Sequence, residues 1–209
     1  MIRFSLLGIP IEIQPFFWIS LIILGGAATA DSLAEIFEIG LFVLAGFISI
    51  LIHELGHALT ARSFGATSSI TLQAFGGYAA YSGVRMSRWQ SFWVTAAGPG
   101  VQIILAVAVY LLLRKLPNLS EQGAYFLGQL CSISLFWAAL NLLPVLPLDG
   151  GQMLNAALGP ARIKVTLWVS LIVAVTLALA LFRYTHSFIF PIFLGMFGWR
   201  AFQALKEQR

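Results

Sequence analysis

Residues 36–61 read IFEIGLFVLAGFISILIHELGHALTA, and this stretch decides which folds are open to the chain. A helix over these residues is long enough to cross the roughly 30 Å hydrocarbon core of a bilayer. Its second half is apolar except for His53, Glu54 and His57. The stretch therefore predicts a membrane-spanning helix that contains three ionisable groups. Ionisable side chains inside a membrane cost free energy and usually have a functional role.

The composition of the whole chain agrees with a membrane protein. Of its 209 residues, 59% are hydrophobic and 10% are charged, against about 45–50% and about 25% in soluble domains. Twenty charged side chains cannot cover the surface of a soluble domain of this length. The same counts exclude a disordered chain and a coiled coil, and the single cysteine, Cys131, excludes a disulfide scaffold. The net charge of +4 is too small and dispersed for a nucleic-acid surface, so no nucleic-acid partner is expected.

Five further stretches are apolar enough to form membrane helices. They cover residues 13–30, 89–113, 123–143, 165–182 and 186–204, and the last is the weakest because it contains Pro191 and Arg200. Residues 1–13 lack the apolar core and cleavage site of a signal peptide, so we expect them to lie at the membrane interface. The pattern predicts an all-α polytopic membrane protein with about six transmembrane helices.

Lysine and arginine residues near the span ends predict the orientation. With six spans, both termini and the loops after the second and fourth spans share one side of the membrane. Nine of the twelve basic residues fall on that side: Arg3, Arg62, Arg85, Arg88, Arg162, Lys164, Arg200, Lys206 and Arg209. We therefore expect both termini and the loop after the second span in the cytoplasm.

Two loops are expected to be structured. In residues 67–82, which follow the second span, apolar and polar side chains alternate from Ile70 to Ala74, which predicts a small β-hairpin or sheet. Residues 144–151 read PVLPLDGG, and the two prolines forbid a regular helix. Non-helical backbone at membrane depth is tolerated only where protein or a water-filled cavity surrounds it.

The sequence His53-Glu54-Leu55-Gly56-His57 carries the strongest chemical signal. Positions i and i+4 of a helix lie on one face about 6 Å apart, so both imidazoles can reach one zinc ion. Glu54 can reach a water at the metal and take its proton. A catalytic zinc site needs a third protein ligand and keeps one position open.

Asp149 is the best candidate for the third ligand. His186 is expected on the opposite membrane face, and Cys131 lies in the middle of the fourth span. Asp149 lies just past that span, level with the motif. On local grounds alone it is explained equally well as the N-cap of a helix that begins with Gly150 and Gly151. Because the other candidate ligands are poorly placed, the assignment of Asp149 as a ligand is favoured.

Two other functions also fit ionisable residues inside a membrane. A transporter or channel would use the His, Glu and Asp side chains as an ion pathway, but the sequence has no inverted repeat and no second broken helix. An inactive binding protein of the same fold would be marked by the loss of Glu54 or of a ligand, and neither is lost.

The two motifs together resemble those of the site-2 protease family of intramembrane zinc metalloproteases. That family pairs H-E-x-x-H on one span with N-x-x-P-x-x-P-x-D-G on a later one, and residues 53–57 and 141–150 match at every defined position. Residues 75–78, FGGY, are similar to the family's glycine pair, and residues 97–99, AGP, to a segment of its next core helix. The resemblance covers about residues 1–160.

This resemblance implies a zinc metalloendopeptidase with one zinc ion per chain. It implies His53, His57 and Asp149 as the zinc ligands. Glu54 would be the general base and later the proton donor to the leaving amine. Asn141 would donate to the oxyanion of the tetrahedral intermediate, or alternatively hold the proline-containing loop.

For the chain as a whole, the resemblance implies one membrane-embedded metalloprotease domain over residues 1–209, in a compact form without a PDZ or nucleotide-binding domain. Its catalytic core would cover about residues 36–160, with accessory spans at about 13–30 and 165–204. The expected partners are the lipid bilayer and single-span membrane proteins, cleaved within or near their transmembrane segments. The expected location is a prokaryotic inner membrane, with the active site near the cytoplasmic side.

One position departs from the family pattern. Many members carry an asparagine three residues after the A-G-P proline, whereas this chain has Gln102. Glutamine offers the same amide on a longer stem, so we expect a supporting contact to shift while the zinc site is retained. A helical substrate must also unwind before attack, and residues 67–82 could offer a strand edge to the unwound peptide.

Overall fold

The computed structural model describes residues 1–116, 118–185 and 188–208, which are mostly helical. The strands are β1 (Ile2–Leu6), β2 (Ile9–Ile13), β3 (Thr67–Gln73) and β4 (Gly76–Ser82). The helices are α1 (Pro15–Leu24), α2 (Leu33–Ser63), α3 (Arg88–Lys115), α4 (Glu121–Asn141), α5 (Asp149–Leu158), α6 (Ile163–Thr185) and α7 (Ile189–Glu207), with a 3-10 turn at Pro160–Arg162 before α6. His186 and Arg209, which entered the sequence predictions, lie outside the described residues.

Within the described residues, four helices are long and apolar enough to cross a membrane. They are α2, α3, α4 and the continuous segment Pro160–Tyr184, which combines the 3-10 turn with most of α6. The chain is therefore an integral membrane protein, but the predicted number of six spans is not confirmed. Helix α7 occupies most of the predicted sixth span and is not among the four candidates.

The predicted first span, residues 13–30, contains only a short helix. Helix α1 has ten residues, so it extends about 15 Å, or half the thickness of the hydrocarbon core. Pro15 occupies its first turn, and the chain leaves the helix at Gly25 and Gly26. Gly26 has a φ of 91°, a left-handed conformation that favours glycine.

The four strands form one sheet in the order β1-β2-β3-β4. The β1/β2 and β3/β4 pairs are antiparallel hairpins, and β2 runs parallel to β3. The predicted hairpin after the second span is confirmed, but the sheet is twice as large because the N-terminal residues supply β1 and β2. The alternation of Ile9, Ile11 and Ile13 after the turn at Gly8 is a strand signal that the sequence analysis did not use.

The chain divides into two compact units, of which the first comprises Met1–Arg85 and Ala97–Ala138. In this unit one face of the sheet is covered by α1 and α2. Alternate residues of β2 and β3 point into this interface and are almost fully buried: Ile9, Ile11, Ile13, Ile70 and Leu72. They pack against Phe17 and Leu21 of α1 and Ile50 and Ala58 of α2. This core sets the sheet beside the helix that carries the H-E-x-x-H motif.

Helices α2 and α3 approach each other closely at Gly56. A Cβ atom at this position would lie 2.7 Å from the carbonyl oxygen of Ala97 and 2.8 Å from Cγ2 of Val101. Real Cβ atoms do not make such contacts, so any side chain here would push α3 away from the motif. Gly40, on the same helix, has open space where a Cβ would lie, with no neighbouring atom within 4 Å, and serves as a natural comparison.

The second unit comprises Met86–Ala96 and Ala139–Arg209. Its core is formed by α6 and α7, where Leu167, Ala201 and Leu205 are buried against one another. Leu146, from the segment between α4 and α5, packs on the same cluster. The segment that carries Pro144 and Pro147 is therefore held by the later helices and not by α4 alone.

We predict opposite effects for alanine at the two glycines of α2. Gly40→Ala should leave the free energy of unfolding unchanged or raise it by up to about 1 kcal/mol, because alanine is the better helix former. Gly56→Ala should lower it by about 1–3 kcal/mol, because the added methyl overpacks the contact with α3. Unfolding of both variants in detergent measures this, and equal shifts would contradict the close-packing account.

Candidate metal centre

Helix α2 brings His53, Glu54 and His57 together inside the protein. All three side chains are buried, although glutamate is mostly exposed in folded proteins and histidine is of intermediate burial. The two imidazole rings stand nearly perpendicular, with centroids 4.6 Å apart, and their Nε2 atoms are 3.0 Å apart. The i, i+4 spacing in the sequence thus places two candidate nitrogen ligands next to each other.

Glycine at position 98 makes room for the second imidazole. A Cβ atom there would collide with Nε2 and the neighbouring ring carbons of His57. Gly98 belongs to the Ala97-Gly98-Pro99 segment of α3, so this segment passes directly over the ring of His57. The glycine is required for space, and any side chain would displace the imidazole.

The other imidazole is held by Gln102. The Nδ1 atom of His53 lies 2.9 Å from Oε1 of Gln102, and both residues are buried. Glutamine in place of asparagine predicts a shifted supporting contact at this position. The longer side chain of glutamine reaches His53 directly from α3.

Glu54 lies against the backbone of strand β4. A Cβ atom at Gly77 would be 2.9 Å from both Cγ and Oε1 of Glu54, and 2.8 Å from Cδ2 of Leu72. Only glycine therefore fits opposite this carboxylate. The arrangement places a buried carboxylate next to the edge strand of the sheet.

Asp149 is the first residue of α5 and is buried. The N-cap of this helix is Leu148, so the alternative interpretation of Asp149 as the N-cap is wrong. The two following glycines have a packing role, because the chain folds back over them. A Cβ atom at Gly150 would collide with the carbonyl of Leu142, and one at Gly151 would lie 2.5 Å from the backbone nitrogen of Leu146.

Ser170 of α6 holds the segment before Asp149. The backbone N–H of Leu146 donates to Oγ of Ser170 at 3.0 Å, and the hydroxyl donates to the carbonyl of Pro144 at 3.4 Å. Prolines leave this segment without a regular hydrogen-bonding pattern, so a side chain from another helix supplies the partner. Sequence reasoning missed Ser170 because a serine in an apolar helix gives no sign of its distant partner.

His53, His57 and Asp149 form a cluster that could hold one metal ion. Their candidate ligand atoms all lie within 4.8 Å of one another, and all three residues are buried. Two imidazoles and one carboxylate are a ligand set found in zinc hydrolases, which keep a fourth position open. The residues present therefore fit a catalytic zinc ion.

The other predicted site residues occupy different positions. Asn141 is the last residue of α4, at the start of the segment that leads to Asp149. Cys131 lies in α4, where its thiol donates to the carbonyl of Ala106 at 3.4 Å, and it is not part of the cluster. His186 lies outside the described residues.

Comparison with known proteins identifies several relatives. The model of peptidase family M50 matches residues 41–122 and 118–182, more than half of the chain. A predicted zinc metalloprotease from Synechocystis sp. is 35% identical over an alignment of 162 residues, which covers 73% of this chain and 42% of that protein. A zinc metalloprotease from Methanocaldococcus jannaschii is 31% identical over 156 residues, 74% of this chain and 44% of that protein. The chain thus spans less than half the length of these curated relatives.

A solved structure shares the fold. The site-2 protease from Methanocaldococcus jannaschii superimposes with a TM-score of 0.67 at 24% sequence identity, covering 98% of this chain and 94% of that chain. The match extends over helices and sheet alike, because almost all of both chains is aligned.

We predict that Ser170→Ala lowers the free energy of unfolding by about 1–2 kcal/mol, because it leaves the Leu146 N–H without its acceptor. Thr166 lies one turn earlier on α6 and provides the control, since its Oγ1 is buried with no hydrogen-bond partner among the described residues. Thr166→Val should leave the stability unchanged or raise it. Both variants can be measured by unfolding in detergent. A greater loss in Thr166→Val than in Ser170→Ala would refute the assigned contact.

Proposed function

Since this chain belongs to peptidase family M50, we propose that it is an intramembrane zinc metalloprotease of the site-2 protease type. It would hydrolyse peptide bonds within or near the transmembrane segments of membrane-anchored proteins. The observation that carries the proposal is the cluster of His53, His57 and Asp149, with Glu54 on the same helix as the two histidines. The ion-pathway alternative finds no support among the relatives described above.

We assign His53, His57 and Asp149 as the ligands of one zinc ion per chain. When bound, zinc supplies Lewis-acid chemistry: it polarises a carbonyl oxygen and lowers the pKa of water toward about 7. Glu54 would accept the proton of the attacking water and pass it to the leaving amine. Asn141 would donate to the oxyanion, or alternatively hold the segment that contains Pro144 and Pro147.

Strand β4 is the element best placed to receive an unwound substrate. It is at one end of the described sheet, so the backbone groups on its outer side are open to another strand. The carbonyl of Leu72 in β3 accepts from Gln14 at 2.9 Å, so the peptide groups of Leu72 face β2. Gly77 lies opposite Leu72, and its N–H and C=O accordingly face the open edge.

This geometry supports pairing of the substrate beside the catalytic base. Gly77 is the residue whose Cβ position touches Glu54, and by alternation the peptide groups of Ala79 also face outward. A peptide added to this edge by β-augmentation would run past the carboxylate with its own carbonyls exposed. Ile70 and Leu72, which suggested the strand in the sequence, are interior and buried, so they are not the pairing residues.

We propose that residues 1–209 act as one membrane-embedded metalloprotease domain with its catalytic core at about 36–160. The match to the family model supports this, because residues 41–182 include parts of both compact units. The accessory parts would be residues 13–30 and 165–204. For the location we propose a prokaryotic inner membrane, with cytoplasmic termini and an active site near the cytoplasmic face; in a six-span arrangement nine of the twelve basic residues would lie on that side.

The metal assignment predicts different results for two substitutions. The purified chain should contain close to one zinc ion, and His57→Ala should contain close to none, because one imidazole ligand is lost. Glu54→Gln should keep the zinc but lose about 10²–10⁴-fold in cleavage rate, since the amide cannot accept the proton. Zinc is measured by elemental analysis in detergent, and cleavage with single-span model substrates. A native chain that stays metal-free even after zinc is added back would eliminate the proposed function.

The edge-strand assignment predicts that Ala79→Pro abolishes cleavage while zinc content stays near one per chain. Proline removes an N–H that faces the open edge, so the strand can still pair with β3. Ser5→Pro is the matched control, because Ser5 occupies the equivalent outward position of β1, at the opposite end of the sheet. It should retain cleavage. If Ala79→Pro cleaves at the native rate, substrate does not pair at β4.

A further inference from the structure

A chain of buried polar groups links three membrane helices behind the candidate metal centre. His53 and Ser49 lie on α2, Gln102 on α3 and Ser134 on α4, and each is at most 3% exposed. Oε1 of Gln102 lies 2.9 Å from Nδ1 of His53. Nε2 of Gln102 donates to the carbonyl and the hydroxyl of Ser49, at 3.3 and 2.9 Å. The hydroxyls of Ser49 and Ser134 are 2.9 Å apart.

The hydrogen-bond partners determine which way the amide of Gln102 points. The carbonyl of Ser49 can only accept a hydrogen bond, so it must face the NH₂ group of Gln102. The amide oxygen then faces His53, and because this oxygen can only accept, Nδ1 of His53 must carry the proton. In that tautomer Nε2 of His53 carries the ring's lone pair, and Nε2 is the atom that lies 3.0 Å from Nε2 of His57.

We propose that Gln102 is a positioning residue of the metal centre, which holds His53 with its proton on Nδ1 and presents Nε2 to the metal. The inference rests on the proposed function insofar as His53 is a zinc ligand. Metal-binding histidines commonly donate their second ring N–H to a carboxylate or carbonyl oxygen, which fixes the tautomer and ring orientation. Here a side-chain amide from a neighbouring helix has that role.

Ser49 and Ser134 explain how a long, flexible side chain can be held. A buried glutamine loses rotamer entropy, and unsatisfied amide protons would add a further cost. Ser49 accepts from both donors of the amide, and its hydroxyl is in turn hydrogen-bonded to that of Ser134, with either hydroxyl as the donor. Only one orientation of the Gln102 amide satisfies its hydrogen bonds, and this orientation also fixes the imidazole of His53.

The test is metal affinity, which does not depend on a cleavable substrate. Purified chains would be titrated with Co²⁺, followed by its visible absorption, and with Zn²⁺ against a chelator. Gln102→Leu removes the acceptor and should weaken metal binding by about 10–100-fold. Gln102→Glu keeps an acceptor oxygen for the His53 N–H and should bind within a few-fold of the native chain.

Ser134→Ala separates positioning from general destabilisation. Ser134 belongs to the same buried chain of hydrogen bonds but does not contact His53. This variant should lose stability while its metal affinity stays within about twofold of native. If Gln102→Leu binds metal as tightly as the native chain, or if Ser134→Ala and Gln102→Glu lose as much affinity as Gln102→Leu, the positioning role is wrong.

A second measurement is made on the native chain, and a variant serves only to assign one signal. The chain has three histidines, so ¹⁵N-histidine spectra of the zinc-loaded protein contain few side-chain signals. His53, assigned by the loss of its signal in His53→Ala, should show a protonated Nδ1 and a metal-bound Nε2. A proton on Nε2 would overturn the inference. A native chain that binds no metal at all would instead refute the proposed function, so the two failures are distinguishable.

Discussion

The burial of two imidazoles and a carboxylate inside the apolar helix α2 is the constraint on which the rest of the structure depends. A polar group removed from water costs several kcal/mol unless it finds a partner, and the bilayer interior supplies none. Gln102 reaches His53, and Asp149 joins the two histidines in one cluster. The carboxylate of Glu54 lies against the backbone of β4. Gln102 and strand β4 lie in separate parts of the chain, so the buried polar groups of α2 depend on both α3 and the sheet.

Space is the second requirement, and glycines provide it. At Gly56, Gly77, Gly98, Gly150 and Gly151 an added Cβ would lie within 3 Å of backbone, of a neighbouring helix or of a candidate catalytic side chain. None of these five residues has a positive φ. Their backbone conformations are open to any residue, so their role here is close approach and not flexibility. The glycines of the H-E-x-x-H, A-G-P and D-G motifs therefore belong to the packing of the site as much as the ligands do.

The grouping of the three candidate ligands could be predicted from the sequence better than the number of spans. A rare motif at helical spacing and the lack of rival ligands led to His53, His57 and Asp149, and the structure groups these residues. The six-span prediction counted apolar residues, and over residues 13–30 that measure cannot separate the ten-residue helix α1 and the glycines after it from one crossing helix. The contact of Gln102 with His53 bridges 49 positions of sequence. No local pattern encodes such a pair, so it becomes visible only when two helices are packed.

The proposed pairing at β4 also limits what a substrate can present to the base. Residues directly opposite in neighbouring strands point their side chains to the same face of the sheet. A substrate residue opposite Gly77 would thus direct its side chain to the face where Leu72 and Glu54 already fill the space of the missing Cβ. Pairing through the backbone would tolerate many substrate sequences, because the hydrogen bonds involve only main-chain groups. Selectivity in such an enzyme would then arise from how readily a substrate helix unwinds, with few side-chain pockets required.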